Sequence, residues 1–138
     1  WNDPSGDRLR AWLAMERDAF YDASRIAIVP MGLCYPGRLP NGGDRPPRPE
    51  CAPLWMDRFV RLMPEIRLTL LVGSYAQTGR LGKGAMTERV RRFREVGPAV
   101  MPLPHPSWRA AGWERRNPWF AADLLPVLRA AVATALDG

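Results

Sequence analysis

The chain has 138 residues and a formal net charge of +6, from 20 Lys and Arg against 14 Asp and Glu. Its hydrophobic content of 46% and charged content of 25% are ordinary for a globular protein, and the length favours one domain over residues 1–138. No apolar run approaches the length of a membrane span and no signal-peptide pattern opens the chain, so we expect a cytoplasmic location and no membrane partner. The positive charge favours a polyanionic partner such as nucleic acid, although an arginine-rich proteome would give the same balance.

Hydrophobic spacing predicts helices and short apolar strands in alternation. The predicted helices cover residues 7–15, 54–63, 86–96 and 117–136, and the predicted strands cover residues 26–29, 68–72 and 100–103. Ser5 is a candidate N-cap for the first helix, and the Pro- and Gly-rich residues 31–53 predict a long irregular segment. The core positions predicted by helical spacing are Leu9, Trp12, Leu13, Leu54, Phe59, Met63, Trp119, Phe120, Leu124, Val127, Leu128 and Val132. Strands separated by helices indicate a parallel sheet covered on both faces, with sites at the carboxyl ends of its strands.

Small polar residues follow two of the predicted strands. Gly73-Ser74 stands where the strand over residues 68–72 turns into a helix, whose free N–H groups favour a phosphate. Ser74 could instead serve only as an N-cap. Pro106-Ser107 repeats the arrangement after the strand over residues 100–103, so the two serines would suit a phosphodiester clamped on both sides of a reacting nucleotide.

His105, between Pro104 and Pro106, is the only histidine of the chain. An imidazole at the end of a strand can donate a hydrogen bond or share developing negative charge near neutral pH, and the alternative is a loop histidine bonded to nearby backbone. Trp108 and Arg109 follow in the same loop. They suit base stacking or minor-groove insertion, although Trp108 could instead anchor the loop in the core.

Together these motifs resemble the uracil-DNA glycosylase superfamily, most closely its bacterial iron–sulfur branch. The resemblance rests on the segment Leu71 to Gln77, on His105-Pro106-Ser107, and on Arg116-Asn117-Pro118, in this order and spacing. It covers most of the chain. It implies a three-layer α/β/α sandwich with a central four-stranded parallel sheet, and hydrolysis of the N-glycosidic bond of uracil after base flipping.

The resemblance also implies roles for individual residues. His105 would stabilise the uracil anion as it leaves. Trp1 would stack on the flipped base, and Met31 lies where the best-known branches read uracil with an Asn, so a related damaged base is an alternative substrate. Asp3 is a candidate general base, although its neighbours look structural. The residues expected to contact DNA are Ser74, Gln77, Pro106, Ser107, Trp108, Arg109, Arg116 and Asn117.

Cys34 and Cys51 are the only cysteines. From the residues alone they could be two free thiols or a disulfide, although nothing suggests an oxidising compartment. In the iron–sulfur branch, a Cys followed by Pro-Gly and a second Cys at this separation are cluster ligands, which assigns Cys34 and Cys51 to a [4Fe–4S] cluster. The family's other two ligands lie in an amino-terminal Cys-x-x-Cys segment.

We expect that segment, the first strand and the Gly-rich loop that positions the hydrolytic water to precede Trp1, since the sequence has no match to them. The leading interpretation is a monomeric DNA-repair glycosylase. Two others remain: a non-catalytic nucleic-acid-binding member of the same superfamily, and a nucleotide- or small-molecule-binding α/β protein.

Overall fold

A computed structural model describes all residues from 1 to 138. We expected one domain, and the contacts divide the chain into two compact units. One unit combines Trp1–Ala27 with Arg67–Gly138, and the other is Ile28–Ile66. In chain order the elements are α1 (Pro4–Leu13), α2 (Arg17–Phe20), α3 (Cys51–Arg61), β1 (Thr69–Val72), α4 (Gly73–Leu81), α5 (Met86–Arg91), α6 (Phe93–Val96), β2 (Val100–Leu103), α7 (Ala110–Arg116) and α8 (Leu125–Asp137), the last preceded by a π-helical turn over Phe120–Leu124.

The sheet consists of β1 and β2, which pair in parallel. Thr69 lies opposite Val100 at one end of the ladder and Val72 lies opposite Leu103 at the other. Both strands, and the entry of β1 directly into α4, agree with the sequence prediction. The sheet has two strands, whereas the prediction placed three of the sheet's four strands within residues 1–138.

Residues 26–29 do not form the predicted strand. Ile28 in this segment is 43% exposed, and an apolar run becomes a strand only when its backbone groups pair with a neighbouring chain. The prediction of a buried strand over residues 26–29 is therefore wrong.

Helix α1 begins one residue after Asp3, which is its N-cap. The Asp3 carboxylate accepts a hydrogen bond from the backbone N–H of Gly6 at 2.8 Å, and Pro4 occupies the first turn, where its missing N–H costs nothing. The predicted cap Ser5 is wrong because that residue already lies inside the helix.

The hydrophobic core lies in the unit that contains the sheet, between α1, the two strands and α8. Leu9, Trp12 and Leu13 of α1 are buried there as predicted. The buried residues of the carboxyl-terminal helix are Phe120, Leu124, Leu125, Leu128 and Val132, and Trp119 packs against them. Val127 is 36% exposed, against prediction, because the buried stripe steps from Leu124 by four residues at a time and leaves Val127 to one side.

The observed helices differ from the predicted ones at their ends, and α1 and α3 each begin three residues and end two residues earlier than predicted. The expected basic helix over residues 86–96 is broken at Arg92 into α5 and α6, which bury Val90 and Phe93. Helix α7 was not predicted, and the last helix begins at the π turn instead of residue 117. No single helix is both long and apolar enough to cross a membrane, and Ala110–Arg116 with Phe120–Asp137 meets that test only as a pair bent by 90°.

The unit Ile28–Ile66 is irregular up to α3, as the Pro- and Gly-rich composition predicts. It contains one isolated antiparallel bridge between Arg38 and Asp44. The predicted core positions of its helix are wrong: Leu54 is 55% exposed, and Phe59 and Met63 are only half-buried. This unit has one helix and therefore offers no second regular apolar face to cover that stripe.

Candidate active site at the strand ends

The two sequence motifs, Gly73-Ser74 and His105-Pro106-Ser107, follow the ends of two neighbouring strands of the sheet. Because Val72 and Leu103 are paired at the carboxyl ends of β1 and β2, the chain continues from neighbouring points into Gly73-Ser74 and into Pro104-His105. The structure thus brings together the glycine and the histidine that the sequence analysis singled out separately.

Gly73 lies directly against the His105 side chain. Its φ is +86°, a backbone conformation that favours glycine. A Cβ added at Gly73 would lie 3.3 Å from Cβ and 3.5 Å from Cδ2 of His105. Both the backbone angle and the close approach therefore favour glycine at this position.

His105 is only partly exposed at the surface and has an aromatic neighbour. The Trp1 and His105 ring centroids are 5.8 Å apart with the planes inclined by 33°. Partial burial lowers the pKa of His105, and the negative charge of Asp3 acts in the opposite direction. A lowered pKa keeps the imidazole neutral at pH 7, so that one ring nitrogen carries a proton it can donate.

The loop after His105 is anchored from inside the protein. Pro106 is fully buried, so it shapes the loop and offers no surface to DNA, contrary to prediction. The carbonyl of Ser107 accepts hydrogen bonds from the Arg8 guanidinium of α1 and from the backbone N–H of Ala110. Ser107 itself is half-buried, and these two bonds hold its backbone in place.

Ser74 lies in the first turn of α4 with an exposed side chain. The helix has Val72 as its N-cap residue and no side-chain capping bond. The alternative interpretation of Ser74 as an N-cap is therefore wrong, and its hydroxyl is accessible beside the amino-terminal N–H groups of the helix.

Gln77 does not have the position predicted for a DNA contact. Its side chain is 0% exposed, and its Nε2 donates to the carbonyls of Leu71 and Leu103 at 3.4 and 2.8 Å. A fully buried amide cannot reach a phosphate or a base. The prediction rested on the family motif alone, which does not say whether a motif residue faces DNA or the protein interior.

Trp108 is the most exposed large apolar side chain of the chain, at 80%. The Arg109 guanidinium carbon lies 5.1 Å from the centroid of its ring. The alternative of Trp108 as a hydrophobic anchor is wrong, since the ring makes no core contact. An exposed indole backed by a cation is a platform on which a nucleobase could stack.

Arg116 and Asn117 end helix α7. Arg116 is exposed and remains available to DNA. The Asn117 Nδ2 donates to the carbonyl of Trp113 at 2.8 Å. That amide group therefore closes the helix end, which restricts its predicted part in DNA binding.

Three further predicted site residues belong to the unit Ile28–Ile66 and not to the unit that contains the sheet. Met31 belongs to the unit Ile28–Ile66, where its side chain is half-buried. Cys34 is exposed, Cys51 is buried at the start of α3, and both are free thiols. No group of three or more His, Cys, Asp or Glu side chains is placed to hold a metal ion. Two thiols do not fit a [4Fe–4S] cluster by themselves, because it needs four ligands.

Sequence reasoning missed Arg8, which supports the site. Arg8 holds the Ser107 carbonyl, and its Nε lies 4.0 Å from a carboxylate oxygen of Glu114. No sequence pattern signals this contact, because Arg8 and Ser107 are 99 residues apart. Asp3 was considered as a general base, whereas the structure shows it as a helix cap whose position before Pro4 is a recognisable cap signal.

One comparison with known proteins bears on this geometry. The family model of the uracil DNA glycosylase superfamily matches residues 1–129 of the chain. The match covers both strands, α4, His105 and the loop that follows it.

Proposed function

This chain belongs to the uracil DNA glycosylase superfamily, and we propose that it is a DNA-repair glycosylase that hydrolyses the N-glycosidic bond of uracil or a related damaged base. Its superfamily consists generally of hydrolytic glycosylases that act on DNA. The observation that carries the proposal is the placement of His105 against Gly73, at the paired ends of the two parallel strands.

In the proposed reaction the base is first rotated out of the stack, since its glycosidic bond is inaccessible in a duplex. The bond between the sugar C1′ and the base nitrogen then breaks, and its electron pair leaves with the base. Water adds to C1′, and its proton balances the charge on the departing base. The neutral imidazole of His105 donates a hydrogen bond to the negative charge that develops on the base.

Charged and polar groups near this histidine would hold the DNA backbone. Ser74 presents a hydroxyl on the first turn of α4, and the anchored Ser107 presents a second hydroxyl after His105. Arg109 and Arg116 are exposed cations suited to phosphate. We assign to Trp108 the stacking contact with a neighbouring base, which its exposure and the cation behind it support.

Two residues are assigned to the base itself. Trp1, beside the imidazole, would stack on the flipped base. Met31 is assigned to the base on the resemblance alone, and an apolar side chain in that role is compatible with uracil or with a related damaged base. The experiments below therefore include more than one base.

We further propose that Cys34 and Cys51 ligate a [4Fe–4S] cluster only together with two more thiolates, which residues 1–138 do not contain. The support is chemical: both thiols are free, and thiolate is the ligand that such clusters take. No step of the reaction depends on this cluster.

The test is incubation of the full-length protein with matched oligonucleotides that carry uracil, hypoxanthine or thymine at one position. Excision leaves an abasic site that alkali cleaves. We expect cleavage at uracil or at the second deaminated base, and none at thymine. Tight binding of all three oligonucleotides with no cleavage would show instead a non-catalytic nucleic-acid-binding protein.

A further inference from the structure

Gln77 is the one polar side chain of the chain that is buried. It projects from α4 into the space at the carboxyl ends of the strands. Its Nε2 donates at 2.8 Å to the carbonyl of Leu103, the last residue of β2, and more weakly at 3.4 Å to that of Leu71 in β1. One amide group therefore binds both strands of the sheet.

The two carbonyls that accept these hydrogen bonds lie close in sequence to the two residues that are in contact in the site. Gly73 follows Leu71 by two residues, and His105 follows Leu103 by two residues. Their contact is tight, since even one added carbon at Gly73 would lie 3.3 Å from the His105 Cβ. A small change in the separation of the strand ends would therefore move the imidazole relative to α4.

The buried amide of Gln77 has an unfavourable effect on stability that a packing role alone does not explain. Its Oε1 is buried without a hydrogen-bond partner. An unsatisfied buried acceptor is unfavourable, whereas an apolar side chain of similar shape would fill the same space without that penalty. What only the amide provides is the pair of donated hydrogen bonds to the two strand ends.

We propose that Gln77 is a positioning residue for His105: its buried amide holds the ends of β1 and β2 together and so fixes the imidazole against Gly73. The inference rests on the proposed glycosylase function for its effect on rate. Gln77 itself touches neither DNA nor base.

The kinetic test compares Gln77→Met in the full-length protein with the wild type and with Leu128→Ala. Methionine keeps an unbranched side chain of similar length but cannot donate. Leu128 is a fully buried residue of α8, so its truncation controls for lost stability alone. We expect kcat to fall about tenfold to a hundredfold in Gln77→Met with KM little changed, and to stay near the wild-type value in Leu128→Ala below its unfolding temperature.

A second measurement does not depend on activity. The His105 ring signals can be assigned in the NMR spectrum by their loss in His105→Gln, and their shifts report the neighbouring Trp1 ring. We expect these signals to move in Gln77→Met and to remain in place in Leu128→Ala. If Gln77→Met does not fold, Gln77→Leu offers a second apolar side chain that also cannot donate.

The outcomes separate the two proposals. A wild-type protein that excises no base would overturn the glycosylase proposal, and the His105 signals would still decide the role of Gln77. Unmoved His105 signals in the Gln77 variant, with kcat equal to that of Leu128→Ala, would show that Gln77 only contributes to packing.

Discussion

At the scale of single residues, the site depends on a close contact between Gly73 and His105. The glycine combines a positive φ with a neighbour 3.3 Å from where its Cβ would be, and each feature disfavours other side chains. The histidine in turn is the group proposed to meet the leaving base. Substitutions at or beside this pair therefore separate effects on chemistry from effects on folding.

Gly73→Ala should abolish most activity. The new methyl group strains the backbone by about 1–2 kcal/mol and pushes the imidazole away from α4. Gly82→Ala is the matched control, since Gly82 has a φ of +79° and no atom within 4 Å of an added Cβ. Thermal unfolding with excision kinetics should show similar destabilisation in both variants and lost activity in Gly73→Ala alone. Equal activities would contradict the tight contact.

Asp3→Asn should lower the pKa of His105 further, because it removes the one charge that raises this pKa. Asparagine caps a helix as well as aspartate does, so α1 should remain intact. An NMR pH titration of the His105 ring measures the effect, with Asp7→Asn in the same helix as the control. An unchanged or raised pKa would show that Asp3 does not act on the imidazole.

The lowered pKa also fixes the sign of the pH dependence of stability. The folded protein binds the His105 proton less readily than the unfolded chain, whose imidazole titrates near about 6.5. The contribution of the neutral His105 to the free energy of unfolding is therefore complete above that pH. It is lost as the pH falls through the lowered pKa that His105 has in the folded protein.

At the scale of elements, the structure shows which strands and helices could be predicted from the local sequence pattern. The strands β1 and β2 and the start of α4 follow from short apolar runs that end at Gly73 and at Pro104-His105. Parallel pairing then places the two ends together. Residues 26–29 carry a similar apolar run but form no strand, because pairing depends on distant chain that a local pattern does not describe.

The buried contacts that support the site were harder to predict than its location at the strand ends. Gln77 lies four residues after Gly73 on the buried side of α4, although the resemblance had assigned it to DNA binding. Arg8 supports the Ser107 carbonyl across 99 residues of sequence. Contacts of this kind depend on tertiary structure and leave no periodic signal.

The loop after β2 carries a further prediction. Trp108→Ala should weaken binding to a uracil-containing oligonucleotide by about 1–3 kcal/mol through the loss of stacking. Thermal stability should change little, since the side chain is 80% exposed. Trp55→Ala is a matched control, because Trp55 is also exposed and has a guanidinium, from Arg58, 5.0 Å from its ring centroid. Equal affinities of the two variants, by fluorescence anisotropy, would exclude the stacking role.

At the scale of the whole molecule, the family match extends over residues 1–129 and includes both compact units. The unit with the sheet contains the candidate catalytic and backbone-binding side chains. The unit Ile28–Ile66 contains Met31 and both cysteines. The net charge of +6 is consistent with a DNA partner for the whole chain.

The cluster proposal is tested on the full-length protein. Purified wild-type protein should contain about four iron atoms per chain, and Cys34→Ser should lose most of them. Ser107→Ala is the control, since it alters the proposed DNA site and removes no thiol. Wild-type protein without iron, or an unchanged iron content in Cys34→Ser, would contradict the assignment.

The most direct test of the central claim is the single-turnover rate of uracil excision by His105→Ala compared with the wild type, at saturating protein and neutral pH. If His105 stabilises the leaving base, the rate should fall about a hundredfold to ten-thousandfold while the affinity for the oligonucleotide stays close to that of the wild type. An unchanged rate in a folded His105→Ala protein would contradict the role assigned to this histidine.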